Sequence, residues 1–259
     1  MLGAIAGDVI GSIYEWNNHR STVFPLFSPG SSLTDDSILT VALAEAILDD
    51  GNYAMLLRRY GALYPDAGYG GRFYRWLFDP SLGPYGSFGN GAAMRVSPAG
   101  WAYATLEETL RKAEVYTAVT HNHPEGIKEG QVVAGAIWMG RHGVSKAEIR
   151  RWIEGHSGDD LSRSCDEIRP AYQFDESCQG TVPQAVTAFL ESADFEGAIR
   201  LAVSLGGDTD TLACITGSMA EAFYGGVPAE IERETMSRLH APMRDVVVRF
   251  RERFGCRRV

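Results

Sequence analysis

The sequence predicts an all-α protein, on three observations. Apolar residues recur three and four positions apart through several long stretches, the spacing that lines one face of a helix. Capping boxes stand at Thr105-Leu-Glu-Glu108 and Ser145-Lys-Ala-Glu148, where a hydroxyl and a carboxylate satisfy the bare amides of a helix start. No succession of alternating polar and apolar residues reads as a set of strands.

Taken in order, the elements justify that class. Gly3, Gly7 and Gly11 fall at i, i+4 and i+8, giving a helix face bare enough for a second helix to lie closely against it. Asp8 sits on this helix, and Glu15, about two turns on, is expected on the same face. From Ile38 to Leu48, Leu39, Ala42, Leu43, Ala46 and Ile47 keep the helical period. Leu106–Val119 follows the first capping box. Pro124 suits a first helical position, and the run Ile127–His142 stops at Gly143. Further helices are expected at Pro183–Glu191, Phe195–Leu205, Thr211–Tyr224, Ala229–Leu239 and Pro242–Phe254. Residues 29–32, 65–71 and 80–91 are rich in turn formers. Segment 156–180 is polar and irregular and is assigned to no element. With no repeat, no low-complexity tract and no long linker, the expectation is one domain over 1–259.

Composition excludes several classes of function. The net charge is −9 and the pI near 5.2, which argues against a nucleic-acid backbone or an anionic membrane as partner. The apolar opening carries Asp8 and Glu15 and has no basic flank, so it is neither a signal peptide nor a membrane span. Cys165, Cys178, Cys214 and Cys256 form no C-x-x-C pair and read as free thiols of a reducing cytoplasm.

Two short segments carry the chemistry. Thr34-Asp35-Asp36 precedes one apolar helix, and Gly206-Gly-Asp-Thr-Asp-Thr211 precedes another. Capping is the plain explanation, since Asp and Thr are favoured helix starts and the dipole welcomes negative charge there. Four carboxylates nevertheless exceed what two caps need. Brought together, they are tolerable only by binding protons or metal ions. An all-oxygen set of carboxylates and hydroxyls suits Mg²⁺, Mn²⁺ or Ca²⁺, and is large enough for two ions about 3.5–4 Å apart. Glu15, flanked by Tyr14 and Trp16, is a candidate general acid or base near such a centre. Tyr85-Gly-Ser-Phe-Gly-Asn-Gly-Ala-Ala-Met-Arg95 reads either as a plain connecting loop or as one that lets a ligand approach the backbone; it lacks the P-loop pattern. Arg95 is expected to tie this loop to a neighbouring acid. His121 and His123 have ligand spacing but lack the third nitrogen or sulfur that zinc wants. Tyr69 and the surrounding GYGGRF are expected at a rim or in packing.

GDVIGSIYE, SLTDDS, YGSFGNGAAMRVSP, THNHPEG and GGDTDT, in this order, resemble the ADP-ribosylglycohydrolase family over residues 3 to about 228. The resemblance implies a single orthogonal multi-helix bundle with a binuclear Mg²⁺ or Mn²⁺ centre. It implies Thr34, Asp35, Asp36, Asp208, Asp210 and Thr211 as ligands, Glu15 or Asp36 as the catalytic acid–base group, and a supporting place for Asp8. Tyr85, Ser87, Phe88, Gly89, Asn90 and Gly91 would form the loop at the diphosphate and ribose, with Phe88 or Tyr85 near adenine or ribose and His121 by the bound ribose. The implied activity is cleavage of the C1″ bond between ADP-ribose and a protein side chain or small molecule. The alternatives are an inactive ADP-ribose-binding or structural protein of the same fold, and another binuclear hydrolase such as a phosphoesterase, which would bring more histidines.

Overall fold

The computed structural model describes residues 1–255. Its helices are α1 (Leu2–Gly11), α2 (Asp35–Leu48), α3 (Tyr53–Leu63), α4 (Gly71–Phe78), α5 (Gly91–Met94), α6 (Ser97–Ala102), α7 (Leu106–Thr117), α8 (Pro124–Arg141), α9 (Lys146–Ser157), α10 (Cys165–Ile168), α11 (Cys178–Glu191), α12 (Phe195–Ser204), α13 (Thr209–Tyr224), α14 (Ala229–Arg238) and α15 (Ala241–Phe254). The described residues contain no strand, only one isolated bridge between Gly89 and Ser177.

Two buried helices form the axis. Every residue of α1 is buried, and so are all but the last two of α13. They run antiparallel with backbones touching. A Cβ on Gly3 would overlap the Gly217 carbonyl, one on Gly7 the Ala213 carbonyl, and one on Gly11 the Thr209 carbonyl. The expected bare face of α1 is therefore an interhelical contact. It sets the C-terminal end of α1 beside the N-terminal end of α13, where Asp208 and Asp210 lie. The shell around this axis includes α2, α8, α11 and α12, which pack against α13.

Both expected capping boxes start helices. Thr105 accepts the Glu108 amide at 3.2 Å, and the Ser145–Glu148 pair closes in both directions. Five elements differ from expectation. Tyr53–Leu63, assigned to no element from the sequence, is helical and capped by Asn52, and α4 starts inside a glycine-rich stretch because Phe73, Trp76 and Leu77 reach the core. α11 starts at Cys178 under a Ser177 cap, with Pro183 inside it. There proline forfeits only the bond to Gln179, close to the helix start. α13 starts at Thr209, so Asp210 lies in its first turn. α1 stops at Gly11, so Glu15 stands beyond the helix and not on its face. Cys165, Cys178 and Cys214 are free and buried; Cys256 lies outside the described residues.

One buried acid sits apart from this axis. Glu129 on α8 is fully buried, and among the described residues neither carboxylate oxygen has a hydrogen-bond partner; Lys128 Nζ is 3.6 Å away. Burial first, and then the charge of Asp159, push its carboxyl up to about 8. The fold favours the protonated form, so this group's contribution is whole below its ordinary 4.5 and is lost as pH rises through about 8. Glu129→Gln should raise the melting temperature at pH 8 to 9, with the gain vanishing towards pH 4.5. A gain independent of pH would contradict this account.

Candidate active site

A cleft of about 500 Å³ opens where the α1–α13 axis meets α2 and α5. Its floor is acidic. Asp35, Asp36, Asp208 and Asp210 all line it, with Glu15 and Thr211. Asp36, Asp208, Asp210 and Thr211 are buried, and Glu15 and Asp35 half-buried. The two aspartate segments, remote in sequence, thus converge.

Local chemistry places each group. Thr34 caps α2 by accepting the Asp36 amide at 3.3 Å, and its hydroxyl donates to Asp8 Oδ1 at 2.7 Å. Asp8 also accepts the amides of Thr34 and Ser37, each at 3.1 Å, and the Ser37 hydroxyl. With both oxygens committed, Asp8 bolts α1 to the start of α2. The Thr34 oxygen keeps one lone pair free, although Thr34 does not line the cleft. Asp36 Oδ2 accepts from the Thr211 hydroxyl at 3.3 Å. Asp208 Oδ2 accepts from Asn90 Nδ2 at 2.7 Å. Asn18 fixes the glycine turn before Asp208: its Oδ1 accepts the Gly207 amide at 2.6 Å while its Nδ2 donates to the Glu15 carbonyl at 2.8 Å.

The fit to a metal can be tested on these atoms. Glu15, Asp208 and Asp210 each offer an oxygen, all within 4.8 Å of one another. Asp36 Oδ1 and Asp210 Oδ1 are buried with no hydrogen-bond partner among the described residues. A buried carboxylate oxygen with no donor is costly. Burial, with Asp210's charge next, pushes the Asp36, Asp35 and Asp208 carboxyls well up, and raises Glu15 and Asp8 to about 7. Convergent orphan oxygens under mutual repulsion are the donor set that a hard divalent cation satisfies.

The glycine-rich loop forms a wall of the cleft. Tyr85, Ser87, Phe88, Gly89, Asn90 and Gly91 all line it. Much of the loop's backbone is already engaged. The Gly86 amide donates to Asn122 Oδ1 at 2.6 Å, that of Gly89 to Ser87 Oγ at 3.2 Å and that of Asn90 to the Glu176 carbonyl at 2.7 Å. Among the described residues the Phe88 and Gly91 amides have no protein acceptor. Arg95 departs from expectation. It is buried, donates to Thr120 Oγ1 at 2.5 Å and lies 3.0 Å from His121 Nδ1, with no carboxylate partner among the described residues. An arginine can only donate, so it and the Thr120 hydroxyl leave His121 Nδ1 an acceptor and put the ring proton on Nε2. Nε2 faces Gly89 and Gly91. Burial and Arg95 hold His121 well below its usual range, so the ring is neutral. His123 Nδ1 instead caps α8. Tyr69 packs against the core and Phe73.

Sequence reasoning missed a second wall. Phe174, Asp175, Glu176 and Ser177 line the cleft from the segment without helical period, which is tied to the loop by the bonds from Asn90 to Glu176 and from Cys178 to the Phe88 carbonyl, 2.9 Å. Arg72, stacked 4.9 Å over Tyr85, belongs to the GYGGRF stretch expected at a rim or in packing, and it lines the cleft.

The class is that of an all-α protein with a carboxylate-floored, metal-suited polar cleft. A family model described as ADP-ribosylglycohydrolase matches residues 1–256, and the chain belongs to that family. It is 25% identical to the human ADP-ribosylhydrolase ARH3, over 87% of this chain and 84% of that one. Identity to the ADP-ribosylarginine hydrolase Tri1 of Pseudomonas putida (strain GB-1) is 26%, over 89% and 71%. A solved structure titled ADP-ribosylglycohydrolase-related protein complex superposes with a TM-score of 0.75 at 26% identity, covering 97% of this chain and 96% of that one.

Proposed function

We propose that the protein is a metal-dependent hydrolase that cleaves the C1″ bond joining ADP-ribose to a protein side chain or small molecule, releasing ADP-ribose. The observation that carries this reading is the convergence of Glu15, Asp208 and Asp210 within 4.8 Å, beside the partnerless oxygens of Asp36 and Asp210. Thr34, Asp35, Asp36, Asp208, Asp210 and Thr211 would hold two Mg²⁺ or Mn²⁺ ions. When bound, such ions supply fixed positive charge for ribose hydroxyls and acidify a water. The chain's own residues do the rest. Glu15, half-buried at the edge of the cluster, takes the proton of the attacking water; Asp36 is the alternative base. His121, neutral with its proton on Nε2, donates to a ribose hydroxyl. The Phe88 and Gly91 amides and the Arg72 guanidinium face the diphosphate, and Tyr85 and Phe88 offer aromatic surface to adenine or ribose. Positioning the ring lowers the barrier to its oxocarbenium-like transition state.

The chain acts in this reading as one domain. No helix among the described residues is long and apolar enough to cross a membrane, and three buried free thiols fit a reducing cytoplasm. Release of ADP-ribose from defined conjugates should require Mg²⁺ or Mn²⁺ and stop with chelator. Full turnover in chelator, with no metal retained on elemental analysis, would overturn it.

The loop assignment has its own test. A Cβ on Gly89 would meet its nearest neighbours at 3.4 Å, ordinary contact, and Gly89 is not among the positive-φ glycines. Gly89→Val is therefore accommodated by the fold, while its methyls enter the cleft. ADP-ribose affinity should fall by about tenfold or more, with melting temperature and metal affinity unchanged. Calorimetric titration beside a melting curve checks both; unchanged affinity retires the loop from the site.

A further inference from the structure

Glu15 stands on a stretch of chain without regular support. Residues 15–27 belong to no helix, and among the described residues none of their amides or carbonyls makes a backbone–backbone hydrogen bond. Side chains hold them instead. Arg200 donates to the carbonyls of Thr22 at 3.1 Å and Phe24 at 2.7 Å, and the Tyr14 hydroxyl donates to that of Pro25 at 3.1 Å. Arg20 reaches across to the far half of the sequence. It donates to the carbonyls of Leu205 at 2.8 Å and Tyr172 at 2.6 Å, and to that of Arg169.

Asn18 is the link that meets the acids. Its Nδ2 donates to the Glu15 carbonyl at 2.8 Å and to the Tyr14 carbonyl at 3.1 Å, while its Oδ1 accepts the Gly207 amide at 2.6 Å. One side chain thus ties the backbone of the candidate base to the residue just before Asp208. The glycine pair leaves room for it. A Cβ on Gly206 would lie 2.8 Å from Asn18 Oδ1 and 3.2 Å from the Arg20 guanidinium carbon, and one on Gly207 would lie 2.7 Å from the Tyr172 ring. A carboxamide presents an acceptor and a donor on one short head; a carboxylate only accepts, and leucine does neither. Oxygens of Glu15, Asp208 and Asp210 come within 4.8 Å of one another. A general base must stay within hydrogen-bond reach of the water it deprotonates, and a turn with no backbone ladder keeps that register through its side-chain ties.

We infer that Asn18 is a positioning residue that holds Glu15 in register with Asp208 and Asp210. The inference rests on the hydrolase reading above and makes turnover depend on one exposed carboxamide. The test compares three variants of the full chain. Asn18→Leu fills the space without polar atoms, Asn18→Asp keeps the acceptor for Gly207 and loses the donor to Glu15, and Asn17→Leu alters the exposed neighbour. Kinetics are read well below the melting temperatures, with Mn²⁺ and with ADP-ribose linked to an arginine peptide and to a serine peptide. Asn18→Leu should lower kcat about tenfold, with KM and the affinity for free ADP-ribose held. Asn18→Asp should fall between it and the wild type, and Asn17→Leu should match the wild type. In a Glu15→Gln background Asn18→Leu should cost almost nothing further, because the group it positions is gone. Titration with Mn²⁺ alone should show severalfold weaker binding in Asn18→Leu, where the Gly207 bond is lost, and no weakening in Asn18→Asp. Wild-type kcat in Asn18→Leu, an equal loss in Asn17→Leu, or a loss in the Glu15→Gln background as large as in the wild type overturns the assignment. If the wild type cleaves neither conjugate, the hydrolase reading falls separately and the Mn²⁺ titration still decides: equal affinity of wild type and Asn18→Leu overturns the register.

Discussion

Asp36→Asn should lower kcat/KM by on the order of 10³ or more while leaving the metal-free protein at least as stable as wild type. The side chain is buried, one oxygen has no partner and the other accepts only the Thr211 hydroxyl. Asparagine keeps the shape and removes the charge. Repulsion from Asp210, Asp8, Asp35 and Asp208, which helps push the Asp36 carboxyl up, is thereby relieved. Metal separates the two proteins. At free ion about a hundred times the dissociation constant, wild type gains about 2.7 kcal/mol, and the variant should gain almost nothing. Melting curves with and without Mn²⁺, beside turnover, read this directly. Equal stabilisation of both proteins by the ion would remove Asp36 from the metal centre.

Gly7→Val should be the most damaging single change in the fold. A side chain there overlaps the Ala213 backbone, which no rotamer can avoid, so α1 and α13 must part. Overpacking of this kind costs about 3 kcal/mol or more, roughly 6–12 °C for a chain of this size. Metal affinity should fall with it, since the same contact sets Glu15 beside Asp210. Gly155 on α9 provides the control. A Cβ there meets nothing within 4 Å, so Gly155→Ala should be stabilising by about 0.5–1 kcal/mol. Similar melting temperatures for the two variants would show that the glycine stripe is not a close contact.

The parts legible in the sequence are those whose cause is local. Capping boxes, the apolar period of α2 and the glycine spacing of α1 each act within a few residues, and each is where it was read. The aspartate pairs were legible because four acids at two helix starts are more than capping requires. Other parts depend on partners remote in sequence. α4 was hidden by its glycines, and its Phe73, Trp76 and Leu77 declare a helix only once there is a core to meet. Segment 172–177 has no period of its own; its shape comes from hydrogen bonds to the loop at residues 88–90. Arg95 was expected to find an acid, but the donor-rich guanidinium instead settles the proton on His121.

The bare face of α1 also shapes how the chain reaches this structure. Its surface is complementary to α13, which comes from the far end of the sequence, so the axis is a contact of high order and its loop-closure entropy must be met before it forms. At a synthesis rate of about 5–20 residues per second, α1 waits roughly 10–40 s on the ribosome for its partner. Through that interval α1 has α2 to pack on but lacks α13, the partner of its glycine face. The nascent chain is therefore a natural client for holdase chaperones, and the acidic centre is among the last features to assemble.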